Sequence, residues 1–193
     1  MKNQLVIALM AAFCASPAFA ALKVGDTAPD FSAKASLGGK EFNFSLKDAL
    51  KKGPAVVYFY PSAYTGGCDL EAHTFAESST KFTDAHATII GVSADNMERL
   101  NQFAADPAFC AGKFPIASDE SLTIAKSYDL NTTPPREGAK DVRGVEIGHG
   151  FIERVTYVIG KDHKVIAVMS SKADGLSPDQ HVDKSLAIVT ASK

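Results

Sequence analysis

One cysteine of the chain lies where its thiol could act as a nucleophile. Cys68 follows Gly66 and Gly67 and stands between an apolar run and a segment of helical periodicity. At the first turn of a helix, unpaired backbone N–H groups and the positive end of the helix dipole favour an anion over a neutral thiol. We therefore expect Cys68 to ionise more readily than a free cysteine and to attack a peroxide oxygen. The alternative is a small buried hydrophobe, which most free cysteines are.

The elements on either side of Cys68 follow from hydrophobic periodicity. The run Val56–Tyr60 is apolar, β-branched and aromatic and too short for a globular helix, so it predicts a buried strand that ends at Pro61. From Cys68 onward, residues at intervals of four and three predict a helix whose core-facing stripe contains the cysteine. The other members of that stripe are Ala72, Phe75, Ser79 and Phe82.

A second strand and helix follow in the sequence. Thr88–Val92 predicts another buried strand. Asp95 with Glu98 has the spacing of a capping box, which predicts a helix that starts there. Its apolar residues are Met97, Leu100 and Phe103.

The C-terminal half predicts a helix, a hairpin and a closing helix. A helix starting near Ser118 or Asp119 is expected to bury Leu122, Ala125 and Tyr128. Val155–Ile159 and Val165–Met169, separated by a turn at residues 160–163, predict an antiparallel hairpin. Ser177 and Pro178 are typical of a helix start, and Val182, Leu186 and Val189 give that helix an apolar face. Asn131–Gly150, rich in glycine and without periodicity, predicts a surface loop.

This order of elements predicts an α/β fold with a central mixed β-sheet flanked by helices, arranged as in thioredoxin-like proteins. The length of 193 residues fits one domain after a leader. We therefore expect a single domain over residues 21–193.

Residues 1–20 have the pattern of a signal peptide. Lys2 precedes the apolar run Leu5–Phe13, and Ala18–Ala20 is a small-residue cleavage site. The alternative of a transmembrane anchor is disfavoured because a span requires about 20 apolar residues. Lipidation at Cys14 is disfavoured by the bulk of Phe13. We expect an exported, periplasmic protein that does not span the membrane once the signal is cleaved.

Composition and charge exclude several partners. The formal net charge is −2 and no basic run stands out, so nucleic acid is not expected as a partner. Cys68 and Cys110 alone would survive signal cleavage, enough for one redox pair in an oxidising compartment. His73 and His86 lack the ligand spacing of a zinc site, and there is no phosphate-binding loop. We expect neither a metal nor an organic cofactor.

The segment around Cys68 resembles the peroxiredoxins. The hallmark P-x-x-x-T-x-x-C-x-x-E of that family is matched at every spacing, and the wider run is most similar to the peroxiredoxin Q, or bacterioferritin-comigratory, branch. Two flanking segments are also similar to family signatures, so the resemblance spans nearly the whole chain after the leader. The residues that carry it are Pro61, Thr65, Cys68 and Glu71, with Val24–Phe31 and Arg154–Ile159.

The resemblance implies a role for each matching residue. Cys68 would be the peroxidatic nucleophile, oxidised to a sulfenic acid. Thr65 would position the thiolate and the peroxide oxygens through its hydroxyl. Arg154 would hold its guanidinium against the sulfur and the developing oxyanion. Pro61 would shield the pocket from water, and Glu71 would orient the arginine or the loop. Each also has a structural alternative, such as a capping threonine or a surface arginine.

Two of these assignments leave alternatives open. Arg136 and Arg143 are neighbouring candidates for the guanidinium. His73 stands where the similar branch often has its resolving cysteine, so that mechanism is not available. Some members of the family have a resolving cysteine in the region of Cys110, and we hypothesise an intramolecular disulfide between Cys110 and Cys68. The alternative is an idle Cys110, with an outside molecule resolving the sulfenic acid.

The expected function is a thiol peroxidase acting on hydrogen peroxide and organic hydroperoxides. The implied reductant is a thioredoxin-like protein, and the implied assembly is a monomer or homodimer. The main rival is a periplasmic thiol-disulfide oxidoreductase, which needs a C-x-x-C pair where this chain has Thr65. A third hypothesis, a redox-inactive binding or chaperone module, is disfavoured because Cys68, Thr65 and Arg154 are all present.

Overall fold

The fold is a seven-stranded mixed β-sheet with helices on both faces. The computed structural model describes residues 21–191, so the predicted signal peptide, residues 1–20, lies outside the described residues. Within the described range, none of the helices has the length and apolar character needed to cross a bilayer. The predicted thioredoxin-like α/β class is confirmed.

Residues 21–191 form nine strands and six helices. The strands are β1 (Ser32–Leu37), β2 (Lys40–Ser45), β3 (Ala55–Phe59), β4 (Thr88–Ser93), β5 (Ile116–Ser118), β6 (Thr132–Thr133), β7 (Phe151–Ile152), β8 (Val155–Ile159) and β9 (Val165–Ser170). The helices are α1 (Leu46–Leu50), α2 (Gly66–Asp84), α3 (Met97–Ala105), α4 (Thr123–Ser127), α5 (Ser171–Asp174) and α6 (Pro178–Ala191).

Strand β3 lies near the middle of the large sheet, whose order is β2-β1-β5-β4-β3-β8-β9. It pairs in parallel with β4 and antiparallel with β8, where Phe59 is opposite Val155. Every residue of β3 is buried. Val57 and Phe59 face one hydrophobic cluster and Val56 and Tyr58 face the other. This alternation buries both faces of the strand, which explains its continuous apolar sequence.

Helices α2 and α6 cover one face of the sheet. The predicted stripe of α2 is confirmed, because Cys68, Ala72, Phe75 and Phe82 are all buried. The ring of Phe75 stacks on that of Tyr58 in β3, with ring centroids 4.6 Å apart. The N-terminal end of α2, and with it Cys68, is thereby fixed above the end of β3.

The starts of α3 and α4 differ from the sequence predictions. Asn96, not Asp95, caps α3, because its side chain accepts the Arg99 N–H at 2.9 Å. Helix α4 begins at Thr123, after Leu122 in the left-handed conformation. Asp119 nevertheless holds its start, because its carboxylate accepts two backbone N–H groups of the first turn.

The other elements were predicted with mixed success. The hairpin of β8 and β9 and the closing helix α6 are confirmed. The hairpin of β1 and β2 and the short strand β5 were not predicted from the sequence. Asn131–Gly150 is not only a surface loop, since it contains β6 and buries Asp141 and Ile147.

Gly91 of β4 provides a test of the packing against β3. A Cβ at this position would lie 2.6 Å from Cζ of the buried Tyr58 ring, so Gly91→Ala must displace a ring that has no free space. We expect a loss of about 1–3 kcal/mol in the free energy of unfolding, measured by urea denaturation. Gly148→Ala, where a Cβ would meet nothing within 4 Å, is the control and should stay within about 0.5 kcal/mol. Equal stability of the two variants would contradict this packing.

Candidate active site

Cys68 lies in the first turn of α2, directly after the loop that leaves β3. Thr65 is the extended residue before the helix, and Tyr64 has a left-handed backbone with φ 58°. Cys68 is only 2% exposed and belongs to the cluster beneath α2. The predicted position at a helix start, facing inward, is confirmed.

Arg154 is the guanidinium at the sulfur. Its Nη2 donates a hydrogen bond to Cys68 Sγ at 3.1 Å, and its Nη1 donates to Glu71 Oε2. Arg154 immediately precedes β8, whose first residue is paired with the last residue of β3. The sheet therefore brings Arg154 to Cys68, whereas Arg136 lies over the ring of Phe151 and Arg143 pairs with Asp141.

Thr65 and Pro61 lie on the loop between β3 and α2, a few residues before Cys68. The Thr65 hydroxyl donates to the Ser62 carbonyl at 2.8 Å. Both Thr65 and Pro61 line an open cavity of about 420 Å³ whose wall also includes Arg136 and Phe151. The structure thus brings together the five predicted site residues near the end of β3. They are Pro61, Thr65, Cys68, Glu71 and Arg154.

Burial and charge act in opposite directions on Cys68. Burial raises the pKa of the thiol above its ordinary value, whereas the Arg154 guanidinium, the Thr65 hydroxyl and the Ser62 backbone lower it. Burial is the largest contribution, so the expectation that Cys68 ionises more readily than a free cysteine is wrong. Burial likewise raises the pKa of Glu71 to about 7, although Arg154 opposes the shift.

Cys110 lies after α3 in the same hydrophobic cluster as Cys68, and both thiols are free. Burial, followed by the charges of Asp106 and Asp69, raises the Cys110 pKa well above its ordinary value. The segment of Cys110 contacts α2, because His73 Nδ1 lies 3.1 Å from the Ala108 carbonyl oxygen. His73, which stands where the similar branch often has its resolving cysteine, is therefore adjacent to the segment that contains Cys110.

A second set of buried side chains holds the loop before α2 from the other side. Asp95 accepts hydrogen bonds from the Ser62 hydroxyl and the Ala63 backbone N–H, both at 2.8 Å. His149 Nε2 lies 2.7 Å from Asp95 Oδ1. Burial works against ionisation of Asp95, but the hydrogen bond and charge of His149 hold its pKa below the usual range.

Two arginines extend this network to the Asn131–Gly150 segment. Arg99 donates to the Ala63 carbonyl at 2.8 Å and pairs with Asp141 at 2.9 Å. Arg143 pairs with the same carboxylate at 2.8 Å and lies over the Tyr64 ring, 3.3 Å from its centroid. The sequence did not predict this network, since it offered Arg143 only as an alternative guanidinium for the sulfur. The position of Asp95 after a buried strand was the available signal, and it was interpreted as a helix cap.

Within residues 21–191, no group of three or more histidine, cysteine and acidic side chains is arranged to hold a metal ion. His73 instead pairs with Glu77, 3.5 Å away, on the exposed surface of α2.

Comparison with known proteins gives consistent matches over most of the chain. The model of the AhpC/TSA family matches residues 24–168. A Mycobacterium tuberculosis H37Rv protein named as a peroxiredoxin is 34% identical over 170 residues, covering 88% of this chain and 97% of that protein. The chloroplastic peroxiredoxin Q of Sedum lineare is 30% identical over 175 residues, covering 91% and 82%. The crystal structure of the peroxidoxin BcpB from M. tuberculosis superposes with a TM-score of 0.71 at 31% identity, covering 89% and 99%.

The contact of Arg154 with the sulfur predicts the sign of a pKa change. Arg154→Met removes the charge that lowers the pKa of Cys68 and leaves the effect of burial, so the pKa should rise. Each unit of increase reduces the thiolate fraction about tenfold below the pKa. The measurement is the rate of iodoacetamide alkylation of Cys68 against pH, followed by mass spectrometry. An unchanged profile would show that the guanidinium does not act on the sulfur.

Glu71→Gln should shift the same profile in the opposite direction. Above about pH 8, Glu71 with its pKa of about 7 is ionised and its charge disfavours the thiolate. The neutral amide should therefore lower the pKa of Cys68 and speed alkylation. A higher pKa of Cys68 in this variant would show that the weaker hold on Arg154 outweighs the removal of the Glu71 charge.

Proposed function

The chain belongs to the AhpC/TSA family and is a peroxiredoxin-type peroxidase, and on this premise we propose that Cys68 is its peroxidatic cysteine. The observation that carries the assignment is the guanidinium of Arg154, which contacts both Cys68 Sγ and the buried carboxylate of Glu71. The proposed substrates are hydrogen peroxide and organic hydroperoxides.

In the proposed first step, the Cys68 thiolate attacks one oxygen of the peroxide. The S–O bond forms as the O–O bond breaks, so the sulfur is oxidised by two electrons to a sulfenic acid. The second oxygen leaves as hydroxide or alkoxide and is protonated to water or alcohol. Arg154 stabilises the thiolate and the charge that develops on the leaving oxygen. Glu71 holds the guanidinium in place.

The peroxide is proposed to approach through the cavity beside Pro61 and Thr65. Both residues line that cavity, and Cys68, three residues after Thr65, is almost fully buried. The Thr65 hydroxyl is held 2.8 Å from the Ser62 carbonyl, and it can turn a lone pair to the incoming peroxide. Pro61 has no backbone N–H, so it adds no donor that would compete for the peroxide. Its ring is proposed to shield the pocket from water.

In the proposed second step, Cys110 attacks the sulfenic acid of Cys68. An intramolecular disulfide forms and water is released, and a thioredoxin-like protein then reduces the disulfide with two electrons. The support is that both cysteines belong to one cluster and that the Cys110 segment contacts α2 through His73. The periplasm is the proposed location, reached through the signal in residues 1–20, and a monomer or homodimer is the proposed assembly.

The rival activity of a thiol-disulfide oxidoreductase has less support. Its C-x-x-C pair would need a thiol at position 65, but Thr65 occupies that place and its hydroxyl is bonded to the Ser62 carbonyl. Arg154 donates to one sulfur and can stabilise a thiolate there. A redox-inactive binding module would not require this contact, so that hypothesis also has less support.

Cys68→Ser and Cys110→Ser separate the two proposed steps. Cys68→Ser should abolish peroxide consumption, because the hydroxyl is a far weaker nucleophile than a thiolate. Cys110→Ser should consume one equivalent of peroxide and then stop at a sulfenic acid, which dimedone traps. The measurement is peroxide loss together with the intact mass of the protein.

Either half of the proposal can fail in this experiment. Peroxide consumption by Cys68→Ser at the wild-type rate would reject the peroxidatic assignment. A wild-type protein that keeps a free Cys110 after one equivalent of peroxide would reject the intramolecular disulfide. Insulin reduction by the wild type would favour the rival oxidoreductase.

A further inference from the structure

His149 is a mostly buried histidine whose two ring nitrogens both face hydrogen-bond acceptors. Its side chain is 20% exposed. Nδ1 lies 2.7 Å from the Gly150 carbonyl oxygen, and Nε2 lies 2.7 Å from Asp95 Oδ1. A neutral imidazole has one N–H and one bare nitrogen, whereas an imidazolium donates from both nitrogens. The proposed peroxide step does not use this ring.

Asp95 is engaged as a carboxylate, so the hydrogen of its contact with His149 belongs to the ring. Its side chain is fully buried. Other polar groups also contact its two oxygens, at distances from 2.7 to 2.9 Å; they are the Ser62 and Ser93 hydroxyls, the Ala63 N–H and Arg99 Nε. These donors and the guanidinium favour the ionised carboxylate. Nε2 must therefore donate to Asp95, and Nδ1 must donate to the Gly150 carbonyl oxygen.

The charges around His149 agree with a protonated ring. Burial lowers the pKa of His149, but the hydrogen bond and charge of Asp95 and the Gly150 carbonyl raise it above its ordinary value of 6.5. His149 also lines a cavity of about 710 Å³; the charged side chains around it are Glu98, Arg99, Glu120, Arg143 and Glu146. Arg99 opposes the protonation of His149 but is itself paired with Asp95. Asp95 is thus the charge in direct contact with the ring.

Asp95 connects His149 to the loop that carries Thr65. The Ser62 hydroxyl donates to Asp95 and lies 3.3 Å from His149 Nε2, and the Ala63 N–H donates to the same carboxylate. The Ser62 carbonyl in turn accepts the Thr65 hydroxyl at 2.8 Å. The position of Thr65 therefore depends on a residue that the His149–Asp95 pair holds from both its side chain and the next backbone N–H.

We propose that His149 is a positioning residue of the peroxide step, whose imidazolium form holds the loop Ser62–Thr65 through Asp95. Loss of a ring proton removes one of the two donations of the ring and the positive charge beside Asp95. The loop is then held less tightly, and Thr65 is placed less well for the peroxide. This inference rests on the proposed function, because it requires Thr65 to act where the peroxide is attacked.

The His149–Asp95 pair acts over a defined range of pH. The pKa of His149 is raised, so its contribution is fully present below 6.5 and is lost as the pH rises through the raised value. The pKa of Asp95 is lowered, so its contribution is present above 3.8 and is lost as the pH falls through the lowered value. Between these limits both partners are charged and the loop is held.

Two NMR measurements test the contact without reference to activity. The ring carbon shifts of His149, assigned by their absence in His149→Asn, should titrate with a midpoint above 6.5. The protection of the Ala63 amide against hydrogen exchange should fall over the same pH range, because that N–H is bonded to Asp95. In His149→Asn the protection of this amide should be lower and should show no such step.

The rate of peroxide attack is then measured by single-turnover stopped flow in the wild type, His149→Asn and His86→Asn. Dividing the wild-type rate by the variant rate at each pH removes the part of the profile that comes from ionisation of Cys68. For His149→Asn we expect a ratio of about 10 below the midpoint of the ring and a ratio close to unity above it. His86 is exposed and has a left-handed backbone that Asn also adopts, so His86→Asn should match the wild type throughout.

The outcomes separate this inference from the proposed function. A His149 midpoint at or below 6.5, or a ratio that does not change with pH, overturns the role of His149 and leaves Cys68 as the peroxidatic cysteine. A wild type that consumes no peroxide overturns the proposed function, while the ring titration and the Ala63 protection still report whether the imidazolium holds the loop. If His149→Asn does not fold, these two measurements on the wild type decide.

Discussion

The site depends on one mostly buried guanidinium shared between a sulfur and a carboxylate. Arg154 contacts Cys68 and Glu71, which are three residues apart in α2 and therefore point to the same side of the helix. A buried charge is costly unless its partners are in place. The pairing of β3 with β8 brings Arg154 to the start of α2. The charges are therefore paired only if the register of the two strands and the position of the helix start are both correct.

The loop between β3 and α2 is fixed from its other side by a second set of charges. Asp95 accepts from Ser62 and Ala63, and Arg99 donates to the Ala63 carbonyl. These contacts come from the segment just after β4 and from the first turn of α3. The loop thus carries reactive groups while rigid elements set its shape, which is the usual division between a scaffold and a functional loop.

Burial has two effects on the chemistry of this site. It raises the pKa of both cysteines, so neither thiol ionises without help. It also excludes water, which strengthens the field of Arg154 at the atoms where charge develops. The first cysteine has a permanent cation beside it, whereas the second has carboxylates. The electrostatic surroundings therefore favour an anion at Cys68 more than at Cys110.

The sequence by itself determined the elements with strong local periodicity and the motif around Cys68. Strand β3, helix α2 and the hairpin of β8 and β9 follow from the spacing of apolar residues, because that spacing reports local backbone geometry. Only the tertiary structure decided that Arg154 rather than Arg136 meets the sulfur, since strand pairing over long sequence distance sets that contact. It also decided that Asp95 supports the loop instead of capping α3, and that burial raises the pKa of Cys68 in spite of the Arg154 charge. Charge and exclusion of water depend on what the whole chain packs around a group, and local sequence does not contain that information.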